Sequence, residues 1–332
     1  MAITQSADPQ ATIWETTNAI VASRALHVVA ELGVADRISE EAQPVSSIAA
    51  ECGVDPASLD RVLRLLASIG IFARHPDGYA HNDASLLLRS DAPGSMRAFA
   101  RMMNLRLINE TFTELLHSVR SGQPAVSLIE PGGMWSYLGH HPEEARLFGE
   151  AMEARAADFI RGVLGAYDFG RFATVADIGG GRGHLLRAIV GAAPSATGIL
   201  FDLPEVVGTI ELRAERLTTI AGDFFRDPLP RADLYILMEV LHDWDDKDCV
   251  RILSAVRRAA AFGATLAIVE SVVPEAGDDP RINALDVLML AVTGGRERTA
   301  AEFAALFDSS GFRMGTVTPT AGPMKIVEAV AV

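Results

Sequence analysis

The stretch "TVADIGGGRGHLLRAIV", Thr174 to Val190, decides the fold. Thr174 to Ile178 is a short apolar run of strand character. It stops at Gly179, Gly180, Gly181 and Gly183, and an apolar helical pattern begins near His184. The same rhythm returns downstream in "TGILF" (Thr197–Phe201), "LTTIA" (Leu217–Ala221), "ADLYILM" (Ala232–Met238) and "ATLAIVE" (Ala264–Glu270), with helical stretches between most of them. Alternating βα units predict an α/β domain, a mostly parallel sheet with helices on both faces. The closing "FRMGTVTPTAGPMKIVEAVAV" reads as two strands turning near Ala321-Gly322-Pro323, an antiparallel pair at the sheet edge. Ligands of such sheets bind beyond the carboxyl ends of the strands. Gly179, Asp202, Asp223, His242 and Glu270 all follow or end a strand there.

The glycines narrow the ligand. Asp177, Gly179, Gly181 and Gly183 stand at every second position, and glycine lets backbone approach a ligand closely. A dinucleotide loop, G-x-G-x-x-G, needs its third glycine where His184 stands. That argues against a nucleotide-dependent dehydrogenase and suits a nucleoside without a pyrophosphate. Asp202 ends the next strand, where an acid can accept hydrogen bonds from both ribose hydroxyls. Its structural reading is a helix N-cap ahead of Leu203-Pro204. In "AGDFF" (Ala221–Phe225), Asp223 suits an exocyclic amine of adenine and Phe224 the ring face; alone, the segment is an ordinary turn.

"YILMEVLHDWDD", Tyr235 to Asp246, changes character in the middle. Apolar residues to Leu241 give way to His242, Asp243, Trp244, Asp245 and Asp246. A strand that ends in a histidine beside acids places a titratable ring at the sheet's ligand edge. The bland reading is a helix-start histidine held by Asp243 near Trp244. Asp245 and Asp246 suit the first turn of the next helix.

The N-terminal part is helical. Ile13, Ala19, Ile20, Ala25, Leu26, Val29 and Leu32 give a helix over Ala11–Gly33. Two shorter helices follow, Ser47–Cys52 and Pro56–Ile69, the second capped with help from Ser58. "IFARHPDGYAHN" alternates around Pro76-Asp77-Gly78 as a hairpin. Helix, turn, helix, hairpin is a winged-helix layout, which serves DNA binding or dimerisation. Arg61 and Arg64 beside Asp55 and Asp60 make no basic face, which favours dimerisation. A helical stretch over roughly Gly94–Ser121 carries Met102, Met103 and Leu105, which either line an apolar pocket or fill core gaps. A further helix starts at Pro142, and His140 and His141 sit in a solvated loop before it.

Composition agrees with a globular chain. It has 332 residues, 49% of them hydrophobic, and a formal charge of -14, which repels phosphate backbones and argues against nucleic acid. Cys52 and Cys249 lie far apart without metal spacing, so two reduced thiols, no metal and a cytoplasmic location are expected. The N-terminus lacks the pattern of a secretory signal, and no membrane span is expected.

"DIGGGRG", "FDLP", "GDFF", "LHDWDD" and "GGRERT", in this order and spacing, resemble the class I S-adenosylmethionine-dependent O-methyltransferases, the family of plant caffeic acid O-methyltransferase and bacterial antibiotic-pathway enzymes. The resemblance spans nearly the whole chain. It implies a Rossmann-like methyltransferase domain over 166–332, a helical linker contributing to the substrate pocket over 93–165, and a winged-helix dimerisation domain over 1–92, hence a homodimer. It implies S-adenosylmethionine contacts at Asp177, Gly179, Gly181, Asp202, Leu203, Gly222, Asp223, Phe224 and Met238. The general base falls on His242, flanked by Glu270 and Glu297, either of which could orient the imidazole. Acceptor contacts fall on Met103, Asn104 and Asp243, and the acceptor is a small aromatic or polycyclic metabolite methylated on a hydroxyl, with nitrogen or carbon open to the same cofactor. The chain departs from the family at Met238, where a lysine or polar residue is common, at Gly149 in "FGEAM", and at Thr111-Phe112, near a usual tryptophan. A non-catalytic or regulatory protein on the same fold is the alternative reading.

Overall fold

The computed structural model describes residues 8–39, 41–210 and 215–332. The first residues weighed as a possible signal, 1–7, lie outside the described residues. Two compact units form, one from residues up to Asn109 with His141–Arg155, the other from Glu110–His140 with Ala156–Val332.

In the first unit, α1 (Pro9–Leu32) starts at Asp8, whose side chain accepts from the Gln10 amide, and ends on Gly33 in the left-handed conformation (φ 65°). Helices α2 (Val45–Cys52) and α3 (Pro56–Ser68) follow. The cap of α3 is Asp55, not Ser58. Its carboxylate accepts from the Ser58 amide at 2.8 Å, so Ser58 supplies the donor. Strands β1 (Ala73–His75) and β2 (Gly78–Ala80) make the hairpin, with His75 paired to Gly78, so the turn is Pro76-Asp77 alone. Leu59, Leu63 and Leu66 of α3 join Val29, Ile48 and Phe72 in one core. Arg64 pairs with Asp60 within α3. Among the exposed residues of α1 are the apolar Ile13, Trp14, Ile20 and Val21.

After α4 (Asp83–Leu86), the expected single stretch to Ser121 is three short helices, α5 (Arg97–Met102), α6 (Arg106–Thr113) and α7 (Leu115–Ser121). The break between the first two is held locally: the Asn109 side chain donates to the carbonyls of Asn104 (2.6 Å) and Leu105 (3.0 Å). Side-chain bonds of this kind compete with the helical ladder. Two more helices, α8 (Val126–Ile129) and α9 (Gly133–His140), precede the long α10 (Pro142–Ala166). His140 is therefore the last residue of a helix, and His141 alone joins α9 to α10.

The second unit carries the sheet. Strands β3 (Thr174–Ile178), β4 (Thr197–Asp202), β5 (Leu217–Ala221), β6 (Leu234–Met238) and β7 (Thr265–Val273) are parallel. Between them lie α11 (His184–Ala192), α12 (Pro204–Val207) and α13 (Asp246–Ala259). Beyond β7 come α14 (Pro280–Val292), the two-residue β8 (Arg298–Thr299) and α15 (Ala300–Ser309). The closing pair, β9 (Phe312–Pro319) and β10 (Met324–Ala331), is antiparallel. The order is β5-β4-β3-β6-β7-β10-β9, with β8 pairing only the end of β7. Strand direction of build-out reverses between β3 and β6, and such a switch point opens a crevice at the carboxyl edge.

Alternation assigns the faces. Leu234 and Ile236 of β6 pack with Leu185, Leu186 and Ile189 of α11, whereas Tyr235 and Leu237 pack with Ile252, Leu253 and Val256 of α13. Both faces are therefore dry, which suits the unbroken apolar run of β6. Two strand ends differ from the reading of the sequence. β6 stops at Met238, before His242, because Glu239 adopts φ 53° and turns the chain out of the sheet. β7 runs on to Val273 because β8 pairs Val272 and Val273.

Candidate active site

The glycine loop leaves β3 with Gly179 (φ 70°), Gly181 (φ 55°) and Gly183 (φ 73°) all in the left-handed region, which explains their alternate spacing. A Cβ on Gly180 would stand 2.5 Å from the Asp177 carboxyl carbon, so the loop's bare backbone lies on that side chain. Asp177 is buried, and both of its carboxyl oxygens lack a hydrogen-bond partner among the described residues. Burial, with Asp202 nearby, pushes its pKa up to about 7.

Asp202 ends β4, the strand next to β3, beside the glycine loop. It accepts from the Gly181 amide (2.7 Å) and the Leu203 amide (2.7 Å). The N-cap position of α12 belongs to Leu203, so Asp202 is not the helix cap. Burial pushes its pKa up to about 6 despite the two amides. Gly222 follows β5 with its α-carbon against the Phe201 ring, where a Cβ would come within 2.7 Å. Asp223 accepts from the Phe225 amide at 2.8 Å, and Phe224 packs edge-on against Trp244. Met238, at the end of β6, is half-buried against the α11 core. A bare loop, an unpartnered buried carboxyl and a second acid at the next strand end together fit a small ligand that carries a positive charge and a ribose.

His242 sits on a 3-10 turn, Leu241–Asp243, and is 5% exposed. Its Nδ1 bonds Glu297 Oε1 at 2.8 Å. Its Nε2 makes no hydrogen bond among the described residues and keeps some solvent access; Asp243 Oδ1 lies 3.8 Å away. Burial opposes the charged ring, but Asp243, Glu297 and Glu270 outweigh it, and the pKa is pushed up to about 10. The two acids do different work. Glu297 orients the ring, whereas Glu270 Oε1 accepts from the amides of Val240 (3.2 Å), Leu241 (2.7 Å) and His242 (3.2 Å). With Glu239 left-handed and Val240 right-handed, these amides form an anion-binding nest, filled by the chain's own carboxyl. Burial lifts the Glu270 pKa to about 7, against the pull of His242.

Several partners of this turn carried no signal in the sequence reading. A Cβ on Gly295 would lie 1.9 Å from the His242 carbonyl oxygen, so only glycine lets the segment Gly294–Thr299 lie across the turn. Asp286 of α14 accepts from the Glu297 amide at 2.8 Å, and the Cys249 thiol donates to the Leu241 carbonyl at 3.2 Å. Paired glycines before "RERT" were the one visible hint. Met103 and Asn104 belong to the first unit: Met103 packs with Met102, Ile108, Leu147 and Ala151, and Asn104 bonds Ser23. Gly149 lies within α10. Thr111 is buried, and its hydroxyl has no partner among the described residues.

The strand order with its antiparallel edge pair, the glycine loop and the acid after the next strand define a class I methyltransferase. The family model for the O-methyltransferase domain matches residues 112–313, and that for the O-methyltransferase dimerisation domain matches residues 14–91. Over 315 residues the chain is 40% identical to phenazine O-methyltransferase PhzM of Lysobacter antibioticus, covering 92% of each chain. The crystal structure of LaPhzM superposes with a TM-score of 0.91 at 38% identity, over 98% of this chain and 100% of that one. NcsB1, an O-methyltransferase from neocarzinostatin biosynthesis solved with S-adenosylmethionine and 2-hydroxy-5-methyl naphthoic acid, superposes at 0.78 with 32% identity, over 93% and 96%. The chain belongs to the O-methyltransferase family. It is an S-adenosylmethionine-dependent enzyme with the family's dimerisation domain, and it works as a homodimer. Among the described residues, no helix is long and apolar enough to cross a membrane.

Proposed function

We propose that the enzyme methylates a hydroxyl of a small aromatic or polycyclic metabolite, with His242 as the general base. When bound, S-adenosylmethionine supplies an electrophilic methyl group on a cationic sulfur. Asp177, the Gly179–Gly181 backbone, Asp202, Leu203, Gly222, Asp223, Phe224 and Met238 hold that cofactor. The unpartnered oxygens of Asp177 support an ammonium partner, and Asp202 retains acceptor capacity for ribose hydroxyls.

A phenol titrates near pH ~10, so little of it is phenolate at neutral pH. His242 Nε2 takes the proton of the attacking hydroxyl. Glu297 holds Nδ1–H, which leaves Nε2 as the basic nitrogen and stabilises the imidazolium that forms. In the protein alone, three acids keep the ring protonated at neutral pH. A cation bound near the ring would lower its affinity for the proton and so favour the basic form. On the family resemblance, Asp243 contributes an acceptor contact beside the base. The relatives named above act on, or are solved with, aromatic compounds, which supports an aromatic acceptor.

The observation that carries this reading is the His242–Glu297 bond beside an unbonded, solvent-touching Nε2. His242→Ala is expected to cut turnover by about 10²–10⁴-fold. Titration calorimetry should find S-adenosylmethionine bound within a few-fold of wild type. Wild-type turnover in that variant would refute the base.

A further inference from the structure

We infer that Arg298 is a positioning residue for His242, a buried guanidinium that fixes the peptide carbonyls on either side of the base. The inference rests on the reading of His242 as the base. Arg298 is fully buried. Its Nη1 donates to the Leu241 carbonyl at 2.9 Å and its Nη2 to the Trp244 carbonyl at 2.8 Å. Those two carbonyls bracket His242 and Asp243. Nε and Nη2 also bond Asp246 Oδ1, at 3.0 and 2.8 Å, and Asp246 is 58% exposed.

The turn is thereby held between two opposite charges. Glu270 takes its amides and Arg298 takes its carbonyls. One strand pairing sets both distances. Val272 of β7 pairs with Arg298 of β8, and Glu270 lies two residues before Val272 on the same strand. Glu297, which orients the ring, directly precedes Arg298. The same short segment therefore fixes the ring through one residue and the backbone that carries it through the next.

A guanidinium suits this task because its planar fork reaches two carbonyls and a carboxylate at once. A lysine ammonium keeps the charge but not the fork. A buried arginine left unpaired is costly, so Asp246 is part of the device, with its open side toward solvent. Removing Asp246's charge loosens Arg298 without opening a hole in the core.

Four variants test the inference: Arg298→Lys, Asp246→Asn, His242→Ala and the double variant Arg298→Lys/His242→Ala. Each is assayed for kcat, acceptor KM and the affinity for S-adenosylhomocysteine. Arg298→Lys should lower kcat by about 10–10²-fold, as displaced catalytic groups do. Acceptor KM and S-adenosylhomocysteine affinity should stay within about 3-fold. Asp246→Asn should lower kcat by about 2–5-fold with the same split, and it decides the matter if Arg298→Lys does not fold. A residue that acts through His242 has nothing to act on once the imidazole is gone. The double variant should therefore be no slower than His242→Ala alone. An additive loss, a parallel loss of cofactor affinity, or unchanged kcat in both Asp246→Asn and any folded Arg298→Lys would overturn the inference. If His242→Ala itself keeps wild-type turnover, the base reading falls and takes the inference with it. A crippled His242→Ala beside normal Arg298→Lys and Asp246→Asn sinks the inference alone.

Discussion

The glycine loop and the His242 turn face the same sheet edge and are built in opposite ways. Around the loop, polar groups are left open: Asp177 is buried with both oxygens unpartnered among the described residues, and three glycines give the backbone its left-handed turns. Around His242, the backbone polar groups are taken up. Glu270 binds three amides, Arg298 binds two carbonyls, and Glu297 fixes Nδ1. Among the described residues, Glu270 Oε2 and Glu297 Oε2 are left without a partner, and Nε2 makes no hydrogen bond. The contrast separates two tasks. One region leaves a buried carboxyl and its loop backbone open, and the other ties down the backbone that carries the ring and one ring nitrogen, as preorganised catalysis requires.

The first way to break that contrast is Glu297→Gln, which keeps a side chain within reach of Nδ1 and removes its charge. Turnover should fall by about 10–10²-fold, the scale of a misplaced or weakened base. The pH profile carries the sign. Acids hold the His242 pKa above the ordinary imidazole value, up to about 10, so any stability it contributes is complete below pH ~6.5 and is lost as pH rises toward that value. Removing one acid lets the pKa fall, so the acid limb of kcat/KM should move to lower pH. A limb that stays in place assigns it to another group.

Asp202→Asn tests the open side. S-adenosylmethionine affinity should weaken about 10-fold or more, the scale of hydrogen bonds to a charged group, while kcat at saturating cofactor is kept. Equal loss of affinity and kcat would place Asp202 in the chemistry instead. Asp177→Asn should give the smallest effect. The Asp177 pKa is raised by burial to about 7, so its stabilising contribution is full below pH ~3.8 and lost as pH rises through 7. The cofactor-free variant should therefore melt higher than wild type at pH 8, by roughly 2–4 °C per kcal/mol relieved, and the gain should shrink toward pH 4. A lower melting point at pH 8 would mean that Asp177 has partners in the cofactor-free protein.

The cofactor side was more legible in the sequence than the catalytic side. Runs bounded by glycines and acids mark β3, β4 and β5 at their observed edges or within one residue; β3 and β4 read as apolar because they are largely buried within the sheet, whereas β5 lies at its edge, half-buried or exposed throughout. The glycine spacing matches three left-handed residues. His242 and Glu297 were legible as a motif, but the division of labour between Glu270 and Glu297 was not. It depends on three amides that meet a carboxyl 28 to 30 residues further along the chain. β8, two residues long, has no periodicity to detect, and yet it places Arg298. Nor does composition mark Gly295, whose importance lies in the backbone that passes over it. The break in the helical stretch after Met102 turns on a single asparagine bonding two carbonyls.

The central claim is that the imidazole removes a proton from the acceptor. Its most direct test compares His242→Ala with wild type on two acceptors of similar shape, one with an ordinary phenol and one with a hydroxyl already ionised at the assay pH. The account predicts a loss of about 10²–10⁴-fold on the first and near-normal turnover on the second. Equal losses on both would contradict it.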